Sequence, residues 1–397
     1  MEENQEIIEE LEEEGKKVEK VEKLLSKKYK KDVDFKQQYD EREKEVLKRI
    51  KKMNADEIRQ LLGKTKVHGL VNQKGGCSKT TTASDICYVL AQKGFNVLCI
   101  DMDSQASISQ LLQVFPETFD LNDDEMTGIQ DIFDYIRECD DNDVEPKWAT
   151  IKKAIRRPQW KSLKRVPSKT EKGKYELETE MIDFGFDLIS SDISLANYEQ
   201  FIPLQRAKGI MLLYRTIQIV LQNSNYDFVI IDAPPALTNL AYATICASID
   251  AILCPVNLEV MTLRGTANIA EAVATMQDEI TKFSGGKIIH KGILGLIKTQ
   301  YAKTLTVQKN LEEIVKNFSP IPTFETSIPR MAACDKAHSE GKLFSQYDKK
   351  AFGVFSDLVY EIIAKDIMRK DEEEPVIIDT IGEEVIKKLR LNQNTEF

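Results

Sequence analysis

The sequence predicts an α/β protein in which a mostly parallel sheet is covered by helices on both faces. From Lys66 onward, short apolar runs alternate with longer segments of helical character, a pattern typical of parallel strands joined by crossover helices. None of the runs approaches the roughly 20 apolar residues that span a bilayer. With 42% hydrophobic residues among 397, the chain can bury a sizeable core. The predicted domains are a charged helical extension at 1–66, a main domain at 67–370 and a tail at 371–397.

Six of the apolar runs are predicted strands, and the first two enclose a predicted helix over 79–93. The segment 113–185 interrupts this alternation. Its first half is acidic, whereas ten Lys or Arg and a single acid, Glu171, lie between residues 151 and 175. We therefore expect a basic insertion at 140–180. The predicted strands are 67–71, 96–103, 227–235, 250–256, 291–300 and 322–328.

The extension at 1–66 is dense in Glu and Lys. Apolar residues occupy heptad positions over a short stretch, so the extension is either a solvated charged helix or a dimerising helix. At its end, Asn54 is a candidate helix N-cap, Glu57 completes a capping box and Gly63 is the predicted stop. The heptad positions are Ile7, Leu11, Val18, Val21 and Leu25.

Charge and cysteine content limit the partners and the cellular compartment that the sequence predicts. The net charge of −10 argues against bulk attraction to DNA or acidic membranes, so such a contact needs a local basic patch. The acidic N-terminus is the opposite of a secretory signal. The seven cysteines are scattered without a C-x-x-C pair, which favours a reducing compartment. The sequence therefore predicts a soluble cytoplasmic protein.

The stretch VNQKGGCSKTTTA at 71–83 nearly matches the phosphate-binding pattern G-x-x-x-x-G-K-[ST]. Gln73 and Ser78 occupy its two glycine positions, and an additional lysine, Lys74, precedes Gly75. The order of strand, loop and helix is the context that such a loop requires, because backbone N–H groups at a helix N-terminus hold phosphates.

Four residues of this loop have the chemistry that a nucleoside triphosphate needs. Gly75 and Gly76 let the backbone close around the phosphates. Lys79 can reach the β and γ oxygens, and Thr80 can offer its hydroxyl to Mg²⁺. The loop is therefore predicted to bind a triphosphate together with a metal ion.

Two further segments place carboxylates at strand ends. VLCIDMDSQAS ends a strand with Asp101 and Asp103, and ligands bind at the carboxyl edge of such sheets. FVIIDAPPAL has four apolar residues before Asp232, the form of a Walker B aspartate near the magnesium ion. Asp232 could instead cap a turn before two prolines, but three such elements in the expected order favour a nucleotide site.

The segments KGGCSKTTTA, DMDSQAS and IIDAPP resemble the deviant Walker A, Walker A′ and Walker B motifs of the ParA/MinD ATPases, particularly the larger plasmid ParA proteins that partition DNA. The resemblance extends from about 67 to 368 and includes PVNLEVMTLRG at 255–265 and IPRMAACDKAHSEGKLFSQYD at 328–348. It implies a P-loop NTPase fold of the deviant Walker A class, with ATP and Mg²⁺ as cofactors.

The resemblance also implies roles for single residues. Lys74 is the family's signature lysine, which reaches across a nucleotide-sandwich dimer to the partner's phosphates. Asp103 is expected to orient the attacking water, Asp232 to contact the metal shell and Asp101 to support the site. Ser78 departs from the usual Gly, which leaves the hydrolysis rate open. The predicted site residues are Lys74, Lys79 and Asp103 for catalysis, Lys74, Gly75, Gly76, Cys77, Ser78, Lys79, Thr80, Thr81, Asp101 and Pro255 for nucleotide binding, and Thr80, Asp103 and Asp232 for the metal.

ParA-like dimers bind DNA without sequence preference, so the resemblance implies a basic contact surface. One candidate is the basic half of the insertion, which could instead be a solvated loop that offsets the acidic half before it. A second candidate aligns with the family's C-terminal DNA-contact region, where one common arginine falls on Ala333. The candidates are Lys152, Lys153, Arg156, Arg157, Lys161, Lys164 and Arg165 in the insertion, and Arg330, Lys336 and Lys342 near the C-terminus.

The predicted function is an ATP-dependent switch for plasmid or chromosome partition. It is expected to act as a homodimer on the nucleoid, with a ParB-like centromere-binding adaptor that stimulates slow hydrolysis and without a membrane. One alternative is a MinD-like regulator of the division site, but the tail EEVIKKLRLNQNTEF is short for a membrane-binding helix. A second is a DNA-binding repressor with little hydrolysis, which would follow if Ser78 disables hydrolysis. Operator binding by the N-terminal extension is unsupported, because a recognition helix has no room between 54–66 and the first strand.

Overall fold

The computed structural model describes residues 39–73, 76, 78–114, 127–167, 175–199, 206–258, 260–302, 309, 312, 321–330 and 332–369. The chain divides into two compact units, 1–53 and 54–397. In the first unit, residues 39–50 form a helix, and the backbone amides of Lys51, Lys52 and Met53 donate to carbonyls near its end. The predicted heptad positions lie outside the described residues.

Strands and helices alternate along the second unit. None of its described helices is both long and apolar enough to cross a membrane. The strands are β1 (Lys66–Leu70), β2 (Val97–Asp101), β3 (Ile155–Arg156), β4 (Gln159–Pro167), β5 (Tyr175–Asp183), β6 (Asp187–Ile189), β7 (Phe228–Asp232), β8 (Ala251–Asn257), β9 (Ile293–Tyr301) and β10 (Thr323–Pro329). The helices are α1 (Ala55–Leu62), α2 (Lys79–Gln92), α3 (Ser107–Leu111), α4 (Ile129–Asp141), α5 (Trp148–Ile151), α6 (Arg206–Asn223), α7 (Asn239–Ala247), α8 (Val260–Ser284), α9 (Ala332–Ser339), α10 (Phe344–Tyr347) and α11 (Lys349–Met368).

One large sheet has the strand order β10-β9-β8-β1-β7-β2-β6-β3, and β4 pairs with β5 separately. Every neighbouring pair in the large sheet is parallel except β3 with β6. The register aligns Leu70 of β1 with Asp232 of β7, and Asp232 with Asp101 of β2. The carboxyl ends of three central strands therefore meet at one edge of the sheet, where ligands bind in such folds.

Helices cover both faces of the large sheet. On one face Val67 of β1 belongs to an apolar core formed with residues of α4, α6, α7 and α8. On the other face His68 Nε2 lies 3.1 Å from Asp366 Oδ1 of α11, and α11 packs against α2. Val67 and His68 contact opposite layers because successive side chains of a strand point to opposite faces. The predicted fold class is confirmed.

All six predicted strands are present, as β1, β2, β7, β8, β9 and β10, each within three residues of its predicted bounds. The predicted helix over 79–93 is α2. The elements within 113–185 were not predicted as such, and two of them, β4 and β5, form an antiparallel pair. In β4 the apolar residues do not lie at alternate positions, so this strand lacks the apolar alternation that indicates a strand. In β5, by contrast, Tyr175, Leu177 and Met181 lie at alternate positions with glutamates between them, a strand pattern that the prediction from charge content did not use.

Helix α1 belongs to the second unit, whereas composition groups it with the charged extension. The predicted capping box is confirmed: Asn54 Oδ1 accepts from the Glu57 amide at 3.0 Å, and Glu57 Oε2 accepts from the Asn54 amide at 2.8 Å. Gly63 ends the helix with φ 74°, as glycine commonly does. Arg59 explains the placement, because its Nε donates to both carboxylate oxygens of Asp227, at 2.8 and 2.9 Å, directly before β7.

Candidate active site at the carboxyl edge of the sheet

The loop between β1 and α2 is the predicted phosphate-binding loop. Three of its predicted site residues, Lys74, Gly75 and Cys77, lie outside the described residues. Gly76 is exposed and has φ 75°. Ser78 directly precedes α2 with φ 61° and ψ 31°, in the left-handed region that glycine enters without a steric penalty. Backbone geometry thus explains the usual glycine at this position, and Ser78 adopts the same geometry with a side chain.

The first turn of α2 carries the predicted phosphate and metal ligands. Lys79 is only 7% exposed. Thr80 Oγ1 donates to Asp232 Oδ2 at 2.8 Å, which ties the start of α2 to the end of β7. The hydroxyl of Thr81 contacts the thiol of Cys334 on α9. Because a helix N-terminus carries unpaired N–H groups and a partial positive charge, it favours an anion at this position.

Three carboxylates lie at or just beyond the ends of the neighbouring strands. Asp232 and Asp101 are fully buried, and Asp103 is 8% exposed. Asp101 Oδ2 accepts from the amide and hydroxyl of Ser109 at 3.0 and 2.8 Å, and its Oδ1 accepts from the Asp103 amide at 3.2 Å. Both oxygens of Asp101 are therefore engaged in orienting the segment that carries Asp103.

Burial raises the pKa of all three carboxyl groups. The pKa of Asp232 rises to about 8, because burial disfavours its charge and Asp101 repels it. Burial raises the pKa of Asp101 to about 6, against the opposing hydrogen bonds from Ser109. The pKa of Asp103 is also raised by burial, while a backbone hydrogen bond and the charge of Lys79 oppose this shift. A bound cation would relieve this concentration of buried acidic groups.

The site fits a magnesium ion that is held together with phosphate oxygens. Asp232 Oδ1 is buried and has no hydrogen-bond partner among the described residues, and the other oxygen of the same carboxylate is bonded to Thr80. Across the described ranges, no group of three or more His, Cys, Asp or Glu side chains could hold a metal ion. Mg²⁺ does not need such a group, since it commonly takes one or two carboxylates and completes its octahedron with phosphates and water.

Two asparagine side chains, which the sequence did not single out, brace the start of the loop. Asn72 Nδ2 donates to the carbonyl of Pro255 on β8. Asn268 Nδ2 of α8 donates to the Gln73 side chain at 2.8 Å. Pro255, a predicted nucleotide contact, therefore has a described structural contact to the loop through its backbone.

A third carboxamide, Gln300 of β9, contacts the end of the loop. Its Nε2 donates to the Gly76 carbonyl at 2.8 Å and to the Ser78 hydroxyl at 3.2 Å. No motif marks Gln300, which lies in the predicted strand 291–300 without a distinctive spacing. A polar residue at the carboxyl end of a strand next to β8 is the only sequence signal for it.

The basic half of the insertion is paired with an acidic strand. In the β4–β5 pair Lys164 is opposite Glu178. Arg157, just before β4, donates to Asp183 at 2.9 Å and to Asp187 at 3.0 Å. The acidic residues beside the basic strand are thus those of β5. The open alternative to a DNA contact was a solvated loop that offsets the acidic half before it, but residues 159–167 of this segment form a strand. The acids of β5 are Glu176, Glu178, Glu180 and Asp183.

The other predicted DNA contacts differ in exposure. Arg156 and Lys342 are half-buried, and Lys342 pairs with Glu340 at 2.7 Å. The Nζ atoms of Lys336 and Lys342 lie 5.9 and 5.5 Å from the ring centroid of Tyr347, so the two lysines share one aromatic neighbour. Among the candidates whose side chains the structure describes, the exposed ones are Lys152, Lys153, Arg157, Lys161, Arg330 and Lys336.

The fold and this site together define a P-loop NTPase fold of the deviant Walker A class. Residues 65–284, just over half of the chain, match a protein family described as an AAA domain. The chain belongs to this family, and its relatives confirm the predicted resemblance to ParA/MinD-type partition ATPases.

Two relatives and one solved structure illustrate the similarity. The sporulation initiation inhibitor protein Soj of Bacillus subtilis is 28% identical over 304 residues, 75% of this chain and 98% of Soj. The chromosome partitioning protein ParA of Caulobacter vibrioides is 24% identical over 303 residues, 76% of this chain and 95% of that ParA. The McdA–ATP complex of Cyanothece is 19% identical with a TM-score of 0.52, covering 77% of this chain and 96% of McdA, which shows a shared fold.

Proposed function

We propose that the chain is an ATP-dependent DNA-partition switch that uses ATP and Mg²⁺. The main support is the contact between the first turn of α2 and the end of β7, where Thr80 Oγ1 and Asp232 Oδ2 are 2.8 Å apart. This contact joins a phosphate-binding helix N-terminus to a carboxylate suited to magnesium. The similarity to a chromosome partitioning protein supports partition as the use of the site, and McdA has been solved with ATP.

The residues of the site position the triphosphate and a water for hydrolysis to ADP and phosphate. Lys79 places a cation beside the β and γ oxygens, and Thr80 presents its hydroxyl to the metal. Asp232 would hold Mg²⁺, and a magnesium ion bound there would neutralise part of the phosphate charge. Asp103 accepts a hydrogen bond from the attacking water, and Asp101 fixes the position of Asp103 through its backbone amide.

The proposed active unit is a homodimer that closes around two nucleotides. Lys74 of each subunit contacts the phosphates bound by the other, as the family resemblance implies. Each site lacks one cation until the partner binds, so ATP binding and dimerisation are coupled. Hydrolysis is slow in the dimer and is stimulated by a ParB-like adaptor, because slow turnover makes ATP a timer for the switch.

The test of this coupling is the mass of the protein with and without nucleotide. Wild type and Lys74→Ala are compared by light scattering after gel filtration, in magnesium with a slowly hydrolysed ATP analogue. Lys287→Ala is the matched control, since Lys287 is an exposed lysine between α8 and β9. We expect nucleotide-dependent dimers for wild type and the control and monomers for Lys74→Ala. A Lys74→Ala protein that dimerises like wild type would refute the proposed role.

The nucleotide-bound dimer is proposed to bind DNA on the nucleoid without sequence preference, through the exposed basic candidates. Contacts between Lys or Arg and phosphates release counterions, so the affinity falls steeply with salt. Fluorescence anisotropy with a labelled random duplex at about 50 and 200 mM salt tests this. We expect binding with ATP, little with ADP, and a loss of affinity at the higher salt. Equal binding with and without nucleotide would contradict the switch.

A further inference from the structure

The side chain of Gln300 contacts Gly76 and Ser78, and all three residues have an uncommon backbone conformation. Gln300 Nε2 donates to the Gly76 carbonyl at 2.8 Å and to Ser78 Oγ at 3.2 Å. Gly76 has φ 75°, Ser78 has φ 61° and Gln300 itself has φ 50°. Gln300 is the penultimate residue of β9, so the contact links the phosphate loop to a strand on the far side of β8.

The left-handed conformation is unfavourable for residues that carry a side chain. Such strain persists where surrounding contacts fix it, and it is concentrated at functional sites. Ser78 keeps the backbone conformation of the usual glycine, and its hydroxyl accepts from Gln300. The left-handed backbone of Gln300 coincides with the placement of its carboxamide on the loop. The backbone is therefore strained at both residues that form this contact, Ser78 and Gln300.

The bond to the Gly76 carbonyl has a direct consequence for anion binding. In a planar trans peptide group the C=O and the N–H point in opposite directions. A contact that fixes the direction of the Gly76 carbonyl therefore also fixes the direction of the N–H in the same peptide group. A phosphate loop depends on backbone N–H groups with a fixed direction, so a donor that holds one of its carbonyls helps to keep the loop ready for phosphate.

We propose that Gln300 is a positioning residue of the nucleotide site, which holds the phosphate loop in its anion-binding conformation and compensates for the serine at position 78. This inference rests on the proposed function, since the ligand is the triphosphate of the same site. Loss of the Gln300 carboxamide then weakens nucleotide binding. Replacement of Ser78 by glycine removes the strain at position 78 and makes Gln300 less necessary.

The test is a double-mutant cycle on nucleotide affinity, measured with a fluorescent ATP analogue and Mg²⁺. The proteins are wild type, Gln300→Ala, Ser78→Gly and the double variant. Gln277→Ala is the matched control, because Gln277 Nε2 also donates to a backbone carbonyl, that of His290 at 2.9 Å. We expect Gln300→Ala to bind roughly three- to tenfold more weakly, the range of one net hydrogen bond. In the Ser78→Gly background we expect a smaller loss that is still measurable, because the bond to the Gly76 carbonyl does not depend on position 78, and Gln277→Ala should bind as wild type.

Gln300→Glu separates positioning from general destabilisation. It keeps the size of the side chain but replaces the donor by a carboxylate that faces the Gly76 carbonyl, so we expect a greater loss of affinity than for Gln300→Ala. Wild-type affinity in Gln300→Ala, an undiminished loss in the Ser78→Gly background, or an equal loss in Gln277→Ala would overturn the inference. If wild type and Gln277→Ala also fail to bind the analogue, the proposed function itself is wrong.

Discussion

The carboxyl edge of the large sheet and the β4–β5 pair differ in the burial of their charged side chains. At the edge, buried carboxylates crowd together, and burial raises the pKa of Asp232 to about 8. In the β4–β5 pair, basic residues of one strand lie beside a strand rich in acidic residues, Lys164 is opposite Glu178 in the register, and the side chains of Lys161 and Glu178 are exposed. Poorly compensated buried charge is costly and is concentrated at binding sites, whereas solvated paired charge contributes little. The edge is therefore suited to a metal and phosphates, while the lysine content of β4 alone overstates its attraction for DNA.

The largest expected effect is the loss of ATP affinity on replacing a lysine at the carboxyl edge of the large sheet. Lys79→Ala removes the buried cation that we propose to contact the phosphates, and a buried charge-assisted contact is worth roughly 1.5–3 kcal/mol. We expect ATP affinity to fall on the order of 100-fold, measured by calorimetry with a slowly hydrolysed analogue and Mg²⁺. Lys93→Ala is the control, because Lys93 lies at the other end of α2, with Nζ 4.0 Å from the ring centroid of Tyr360. If Lys79→Ala bound ATP with wild-type affinity, the proposed contact between Lys79 and the phosphates would be refuted.

The second effect is the pH dependence of stability without nucleotide. The folded pKa of Asp232 is about 8, and its unfolded pKa is about 3.9. Between these values the folded state binds more protons than the unfolded state, so stability falls as the pH rises. Asp232→Asn removes this contribution. Its unfolding free energy relative to wild type is expected to increase by roughly 1–2 kcal/mol from pH 6 to pH 8.

Urea denaturation of wild type and Asp232→Asn at several pH values measures this difference. Asp278→Asn on α8 is the control, because its carboxylate is exposed and pairs with Lys282. A constant difference between Asp232→Asn and wild type across the pH range would show that Asp232 is already charged in the folded protein.

The sequence predicted the parts of the fold that have a periodic or motif signal. β1, β7 and β8 are apolar runs with defined ends, and Thr80 and Asp232 follow such ends at fixed positions. β4 has no such signal. In β5, mostly apolar residues do alternate with glutamates over 175–181, but the charge content of the segment predicts an insertion and not a strand.

The sequence could not indicate Gln300, because its contact with Ser78 joins residues 222 positions apart. Long-range polar contacts depend on strand order, which a single sequence does not specify, and one glutamine has no spacing that distinguishes it. The order β9-β8-β1 brings the ends of these strands to the same edge. The same reasoning explains why Asp101 was expected near the ligand, while its oxygens are bonded to Ser109 and to the Asp103 amide.

The smallest expected effect is a change in DNA affinity on replacing charged residues in and near the β4–β5 pair. If this pair contacts DNA, the exposed acids Glu176 and Glu178 oppose the contact, so their replacement by glutamine is expected to strengthen ATP-dependent DNA binding by roughly two- to threefold at about 100 mM salt. Lys152→Ala with Lys153→Ala is expected to weaken it and to lower the slope of log affinity against log salt by about 1–2.

The control for the acidic replacement is Glu271→Gln with Asp278→Asn, two exposed acids on α8 that change the net charge equally. Equal strengthening by both pairs means that net charge alone acts, and the β4–β5 pair then has no special position. If DNA binding responds neither to the acidic replacements nor to the Lys152 and Lys153 replacements, the DNA contact lies instead among the basic residues around α9. There Lys336 is exposed and α9 contacts the phosphate-loop helix through Cys334 and Thr81, so nucleotide could act on that surface directly.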